Sequence, residues 1–208
     1  MARLGRPRSF DRQDALLRAM RVFWAVGYEG ATLTGLQKAM GGITAPSFYA
    51  AFGSKEKLFR EAVELYSRTL GAPMVKALAD GSTARASIDA LLEAAVQSFT
   101  KPGAPRGCLL VLGAINSMPA NKGVRDYLCG LRARRRKAIC RRLQRAVAEG
   151  ELPPGLDPAA LASFYTTVVD SLATQARDGA SRKTLQFAAR SAMAAWDKLA
   201  AEAGPRAH

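Results

Sequence analysis

The sequence predicts an all-α protein of about nine helices, with a three-helix head at the N-terminus and a larger helical body behind it. Three observations carry that expectation. Apolar residues recur at three- and four-residue steps in stretch after stretch. Gly and Pro fall between those stretches, where helices end. At 208 residues and 49% apolar content, the chain can bury a sizeable core.

Residues 1–9, MARLGRPRS, form a basic arm carrying Arg3, Arg6 and Arg8. Asp11 begins the first helix, which is expected to run to about Val26, with Leu16, Ala19, Met20, Phe23 and Val26 facing the core. Gly27 ends it. Residues 32–59, TLTGLQKAMGGITAPSFYAAFGSKEKLF, then organise the head. Leu33, Leu36 and Met40 lie at helical spacing, with Thr32 or Ala31 at the entry. Gly41-Gly42 supply the positive φ that a sharp reversal needs. Thr44 is placed to cap the next helix, with Pro46 in its first turn, where a missing N–H costs nothing. That helix carries Phe48, Tyr49 and Phe52 and stops at Gly53; Ser54 caps the one that follows. Two short helices joined by a glycine turn match a helix-turn-helix, which lays its second helix in the DNA major groove.

The helix from Lys55 carries Leu58, Phe59, Ala62, Val63, Leu65, Tyr66 and Leu70 into the body without a linker. Gly71 and Pro73 mark a bend or its end. The next helix spans Ser82 to about Thr100, and a Pro/Gly loop covers Lys101 to Gly107. Cys108 to Pro119 reads as a short helix, apolar nearly all round and hence buried on several sides. Cys108, Leu109, Leu112, Ile115 and Asn116 share one of its faces. Asn116 there either bonds a neighbouring helix or orients a ligand. A pocket of Phe99, Cys108, Leu112, Ile115, Asn116, Phe164 and Val168 is the candidate ligand site. Asn121 to about Glu149 forms a long helix crowded by Arg132, Arg134, Arg135, Arg136, Lys137, Arg141, Arg142 and Arg145, expected chiefly as a solvated outer face. Asp157 and Pro158 open the penultimate helix, to about Arg177; the last begins near Ser181.

The formal charge of +14 and pI near 10.3 favour a polyanionic partner, nucleic acid before an acidic membrane surface. Three cysteines without paired spacing suit a reducing cytosol, and the N-terminus has no long apolar run for a signal peptide or membrane span. His208 is the one histidine, and no nucleophile elbow, phosphate-binding glycine loop or metal motif stands in the chain. No enzyme, cofactor or metal is therefore expected.

From Phe10 to Leu70 the chain resembles the DNA-binding domain of the TetR family of bacterial repressors. The resemblance rests on Phe23 to Thr32 (FWAVGYEGAT), Ile43 to Tyr49 (ITAPSFY) and Phe52 to Phe59 (FGSKEKLF). Gly41-Gly42 makes the turn about one residue longer than the family pattern, and Gly35 weakens the second helix. The resemblance implies a DNA-binding domain over 10–70, with the helix-turn-helix at about 32–52, and a ligand-binding and dimerisation domain over 71–208. Phosphate contacts are then expected from Thr32, Thr34, Tyr49 and Lys55, base reading from Thr44, Ala45, Ser47 and Lys38, and arm contacts from Arg6 and Arg8. None of the base-reading residues is an Arg, Asn or Gln, so methyl contacts and DNA shape carry specificity. The last two helices are expected to pair with their twins through Leu161, Tyr165, Leu172, Leu185, Ala192 and Trp196. The expected function is a cytoplasmic homodimeric repressor on a near-palindromic operator in double-stranded DNA, released by a small-molecule inducer. A sequence-nonspecific nucleic-acid-coating protein is the alternative. Cys108 follows Arg106-Gly107 at a helix start, a setting that favours a reactive thiolate, against its reading as a small buried hydrophobe.

Overall fold

The computed structural model describes residues 10–115 and 117–202, and among them it is helical without strands. The Asp11 carboxylate accepts from the Gln13 amide at 2.7 Å and starts α1 (Arg12–Gly30). The helix runs past its expected end because Gly27 (φ 74°) breaks the geometry locally and the chain then resumes one more turn. A Cβ at Gly27 would also stand 3.3 Å from the Gly113 carbonyl oxygen. Val26, expected inward, is 54% exposed. The buried arc passes through Leu16, Met20, Phe23 and Trp24, which leaves Val26 on the outer side.

Thr32, Thr44 and Ser54 each accept a backbone N–H at the start of α2 (Leu33–Ala39), α3 (Ala45–Phe52) and α4 (Lys55–Thr69). Gly41 and Gly42 make the intervening turn at φ 97° and 74°, conformations that cost other residues far more. Leu36, Met40, Ile43, Phe48 and Phe52 are buried. Phe59 closes this small core edge-on to both Phe23 and Tyr28, at 5.0 and 5.2 Å between centroids.

The body begins with α5 (Ala72–Asp80), the helix that raises the total among the described residues to ten where the sequence predicts about nine. Pro73 lies in its first turn and therefore opens a helix in place of ending one. Then come α6 (Ala84–Phe99), α7 (Leu109–Leu112), a 3₁₀ turn at Pro119–Asn121, α8 (Lys122–Ala148), α9 (Pro158–Arg177) and α10 (Arg182–Glu202). Helix α6 is the hub, packed by α5, α8, α9 and α10. The apolar run after Cys108 makes one helical turn only. The Gly113 carbonyl, which a longer helix would give to residue 117, accepts the Tyr28 amide at 2.7 Å instead.

The basic helix α8 is also less solvated than expected. Arg142 is 6% exposed and bonds Ser87 Oγ at 3.1 Å and the Glu151 carboxylate at 3.0 Å. Arg135 pairs with Asp170, and Arg132 donates to the Leu110 carbonyl at 2.6 Å. Partners supplied by α6, α7 and α9 thus draw three guanidinium groups inward, while Arg134, Arg136, Lys137, Arg141 and Arg145 stay outside. Among the described residues no helix is long and apolar enough to cross a membrane.

Head and body are tied by more than the run of α4. Trp24 Nε1 donates to the Gly107 carbonyl at 3.1 Å in a buried bond. The Glu29 carboxylate accepts from the Met118 amide at 2.9 Å and Asn121 Nδ2 at 2.8 Å. Those two bonds, the Asn121 amide first, hold its carboxyl below the ordinary glutamate value. Arg177 on α9 donates to the carbonyls of Trp24, Ala25 and Arg106. The guanidinium of Arg60 on α4 stacks on the Tyr127 ring of α8 at 4.5 Å.

Candidate nucleic-acid interface

The apolar sides of α2 and α3 are spent on the head core, so their remaining faces point outward together. Thr32, Thr34 and Lys38 on and before α2, and Thr44, Ala45 and Tyr49 at α3, are all exposed; Ser47 is half-buried. Thr44 Oγ1 donates to Ser47 Oγ at 3.0 Å and accepts the Ser47 amide at 3.4 Å, so the start of α3 is held by its own side chains. Tyr49 is 51% exposed, its ring edge-on to the buried Phe48 at 5.4 Å, with the hydroxyl end free of the core. Arg12 braces this face from behind. It bonds both oxygens of Glu61 at 2.9 and 2.8 Å and lies over the Phe52 ring at 4.6 Å. Arg6 and Arg8 lie outside the described residues.

Lys55 stands where α4 begins, half-buried, with Nζ 4.4 Å from the centre of the Tyr28 ring. Burial lowers its pKa and the nearby Glu29 charge opposes that shift. Its ammonium is thus held against an aromatic face, on the residue that opens α4.

The residues named for a pocket do not gather in one place. Phe99 and Cys108 are buried, Leu112 half-buried, Ile115 61% exposed and Phe164 39% exposed. Phe164 lies in a separate groove with Leu156, Leu161 and Leu199, and Val168 is half-buried on the same helix. Asn116 lies outside the described residues. The single turn of α7 does not extend the helical face from Cys108 to Ile115, and Phe164 and Val168 lie on α9 away from the cavity that Cys108 lines. Of this set Cys108 alone lines a cavity of about 260 Å³ between α4, α5, α6, α7 and α8, with walls that include Tyr66, Met74, Leu78, Leu91, Leu131 and Arg135. Most of these are apolar residues that periodicity places in the core, and only a fold can tell a cavity wall from a filled one. The setting expected around Cys108 is only partly present, since it stands at the N-cap of α7 without its arginine neighbour. Arg106 turns away to the carbonyls of Ala176 and Ala180, and α7 is one turn long.

A second correction concerns self-association. Leu161, Tyr165, Leu172, Leu185, Ala192 and Trp196 are all at or below 9% exposure within one protomer. They fill the seam among α6, α9 and α10, with Tyr165 Oη donating to the Ala192 carbonyl at 3.2 Å. Helical periodicity selected the inner stripe of each helix. The outer stripes carry Phe164, Thr167 and Ser171 on α9 and Phe187, Ser191 and Ala194 on α10, with Phe187 68% exposed.

An all-α chain with a capped helix-turn-helix projecting from a helical body has the build of a helix-turn-helix regulator. Residues 15–62 match the family model for bacterial regulatory proteins of the tetR family, and residues 84–201 match the tetracyclin repressor-like C-terminal domain. The chain belongs to the TetR family. It is 30% identical over 196 residues to the HTH-type transcriptional repressor ComR of Escherichia coli strain K12, covering 94% of this chain and 93% of that protein. The HTH-type transcriptional repressor BdcR of the same strain is 28% identical, over 91% and 90% of the two chains. Among solved structures, a cysteine mutant of the TetR family transcriptional regulator CifR, complexed with 26-base-pair double-strand operator DNA, is 44% identical. It superposes with a TM-score of 0.88 over 92% of this chain and all of that one.

Proposed function

We propose that this protein is a homodimeric transcriptional repressor that binds a near-palindromic operator through α3 and releases it when a small molecule occupies the body. It acts in the cytoplasm and performs no catalysis. Residues 10–70 form the DNA-binding domain, residues 71–208 the effector and dimerisation domain, and residues 1–9 follow the DNA. One observation carries this reading. The apolar sides of α2 and α3 are buried, while Thr34, Lys38, Thr44, Ala45 and Tyr49 on or at the start of these helices are exposed, which supports their use as the DNA-facing side. Two such surfaces, related by a two-fold axis, read half-sites about one helical turn apart, roughly 34–36 Å. The coating alternative needs a continuous basic face on α8, and the inward turn of Arg132, Arg135 and Arg142 interrupts it.

The test is selection of bound fragments from the source genome, followed by footprinting. Tyr49→Phe and Lys55→Ala are expected to weaken binding on every sequence alike, and Lys55→Ala to lower the salt slope by about one contact. Unchanged affinity and slope in Lys55→Ala would remove that residue from the interface.

Pairing is assigned to the outer stripes of α9 and α10. Phe187→Glu is expected to give folded monomers by light scattering, because it introduces an unpaired charge into a desolvated contact, and operator binding is expected to fall with it. Leu185→Glu acts differently: it places the charge in the protomer's own core and lowers helical content. A folded Phe187→Glu dimer would move the interface elsewhere.

A further inference from the structure

The cavity between α4, α5, α6, α7 and α8 has an uneven polarity. Its walls are apolar, with Met74, Val75, Leu78, Leu91, Leu110 and Leu131 prominent. Tyr66 and Arg135, which interact electrostatically, line it as well, with the exposed Arg134 at its rim, and among the described residues no acidic side chain does. Tyr66 is 1% exposed, yet its hydroxyl has no hydrogen-bond partner among the described residues. It lies beside Cys108 and the Leu109 backbone without meeting either in bonding geometry. Burial first, and the Cys108 thiol second, push its phenol well above the ordinary tyrosine value, so it stays a neutral O–H donor. The Nε of Arg135 is likewise buried without an acceptor, although its terminal nitrogen pairs with Asp170. Ser67, the other hydroxyl on the wall, is occupied by the Val63 carbonyl at 2.8 Å.

Buried donors without acceptors are uncommon, and each costs free energy while it stays unmet. Two of them against one cavity define the complement: an apolar body ending in a group that accepts hydrogen bonds. One donor is a guanidinium and a second arginine, Arg134, lines the same cavity, so an anionic acceptor gains over a neutral one. We infer that the cavity binds a small organic carboxylate, its apolar tail among Met74, Leu78, Leu91 and Leu131 and its carboxylate on Tyr66 Oη and Arg135 Nε. This rests on the repressor reading, in which such a molecule is the effector.

Tyr66 also gives the site a route to the head. Its ring meets Trp24 of α1 edge-on at 5.1 Å, and Trp24 holds the Gly107 carbonyl just before the cavity wall at Cys108. Occupancy therefore acts on both elements that carry the head, α4 and α1.

The experiment is a titration of the native protein with straight-chain carboxylates from butanoate to dodecanoate and with phenyl-substituted ones, each beside its neutral amide. Tryptophan fluorescence and thermal shift report binding without DNA. At least one carboxylate is expected to raise the melting temperature and to bind at least ~10-fold tighter than its amide, as hydrogen bonds to charged groups imply. Tyr66→Phe and Arg135→Lys are each expected to weaken it roughly 10-fold. Ala138→Phe, which fills the cavity from α8, is expected to abolish binding while operator affinity is kept. Tyr66→Phe removes an unmet donor, so unliganded it should melt no lower than the native protein; a lower melting point would mean that the hydroxyl is already satisfied and would overturn the assignment. Amides that bind as tightly as the acids, or a panel in which no carboxylate binds, would also overturn it. In either case retained operator binding would leave the repressor reading standing, whereas native protein that binds no DNA fragment would remove that reading by itself.

Discussion

Trp24→Ala is expected to destabilise the native chain by roughly 3–5 kcal/mol, the range for deleting a buried large aromatic. Trp24 is 1% exposed and fills the junction between α1, α4 and the loop before α7. The same change strips the Gly107 carbonyl of its buried donor at 3.1 Å, which adds about 1 kcal/mol. Trp24→Phe separates the two contributions, since it keeps much of the ring contact and loses only the N–H. Urea unfolding followed by helical circular dichroism measures all three proteins. The alanine variant should also lose operator affinity at concentrations where it remains folded, because its head is no longer held at one angle. An alanine variant within about 1 kcal/mol of the native protein would mean that the junction is not tightly packed in solution.

The second large effect is expected at Arg142. Its side chain is 5% exposed and its partner Glu151 22%, and Glu151 also accepts the Ala84 amide at the start of α6. Removing one member of a buried pair leaves the other without a counter-charge, at a cost of about 3 kcal/mol here because Glu151 keeps some contact with water. Arg142→Ala should show that loss, and Arg142→Met with Glu151→Gln should recover a good part of it. The pH dependence provides a second check. Burial acts to raise the Glu151 carboxyl, but the Ala84 amide and Arg142 outweigh it and hold it below its ordinary value. A carboxyl depressed in the folded state contributes stability at pH above its unfolded value and loses it as the pH falls through the folded one. Native protein should therefore weaken across the acid range below the ordinary glutamate value, and Arg142→Ala should weaken less there. Equal acid slopes would detach Glu151 from this pairing.

The parts of the molecule legible in the sequence were those written in short range. Thr44 and Ser54 cap the helices their positions predict, and of the two residues at the entry of α2 it is Thr32 that caps, since a cap needs only a side-chain oxygen and an amide three residues on. The Gly41-Gly42 reversal is of the same kind. Long-range partners were not legible. Nothing near Arg142 in the chain shows that Ser87 waits across the fold, so an arginine on a basic helix reads as solvated until α6 is beside it. The pairing surface failed for a related reason: periodicity finds the most apolar stripe of a helix, and on α9 and α10 that stripe is covered by the protomer itself. At the cavity, Tyr66 reads in the sequence as one more core aromatic, and its unmet hydroxyl exists only as a relation among three helices. Ile115 failed because the Gly113 carbonyl left the helical ladder for Tyr28.

That last bond has a mechanical consequence. A head carried by α4 alone could tilt in any direction about its stem. The Tyr28–Gly113 and Trp24–Gly107 bonds fasten it at a second place, to the strap of chain between α6 and α8. A rigid piece held along a stem and along one further side, where the Glu29 and Arg177 contacts join those two bonds, turns most easily about the line that joins the two attachments. Both reading heads of a dimer would then swing about two axes related by the two-fold, and their separation would change. The amide proton of Tyr28 and the indole N–H of Trp24, which donate to the Gly113 and Gly107 carbonyls, mark that axle. Their exchange with solvent deuterium should accelerate together when the heads move, ahead of amides in the cores on either side.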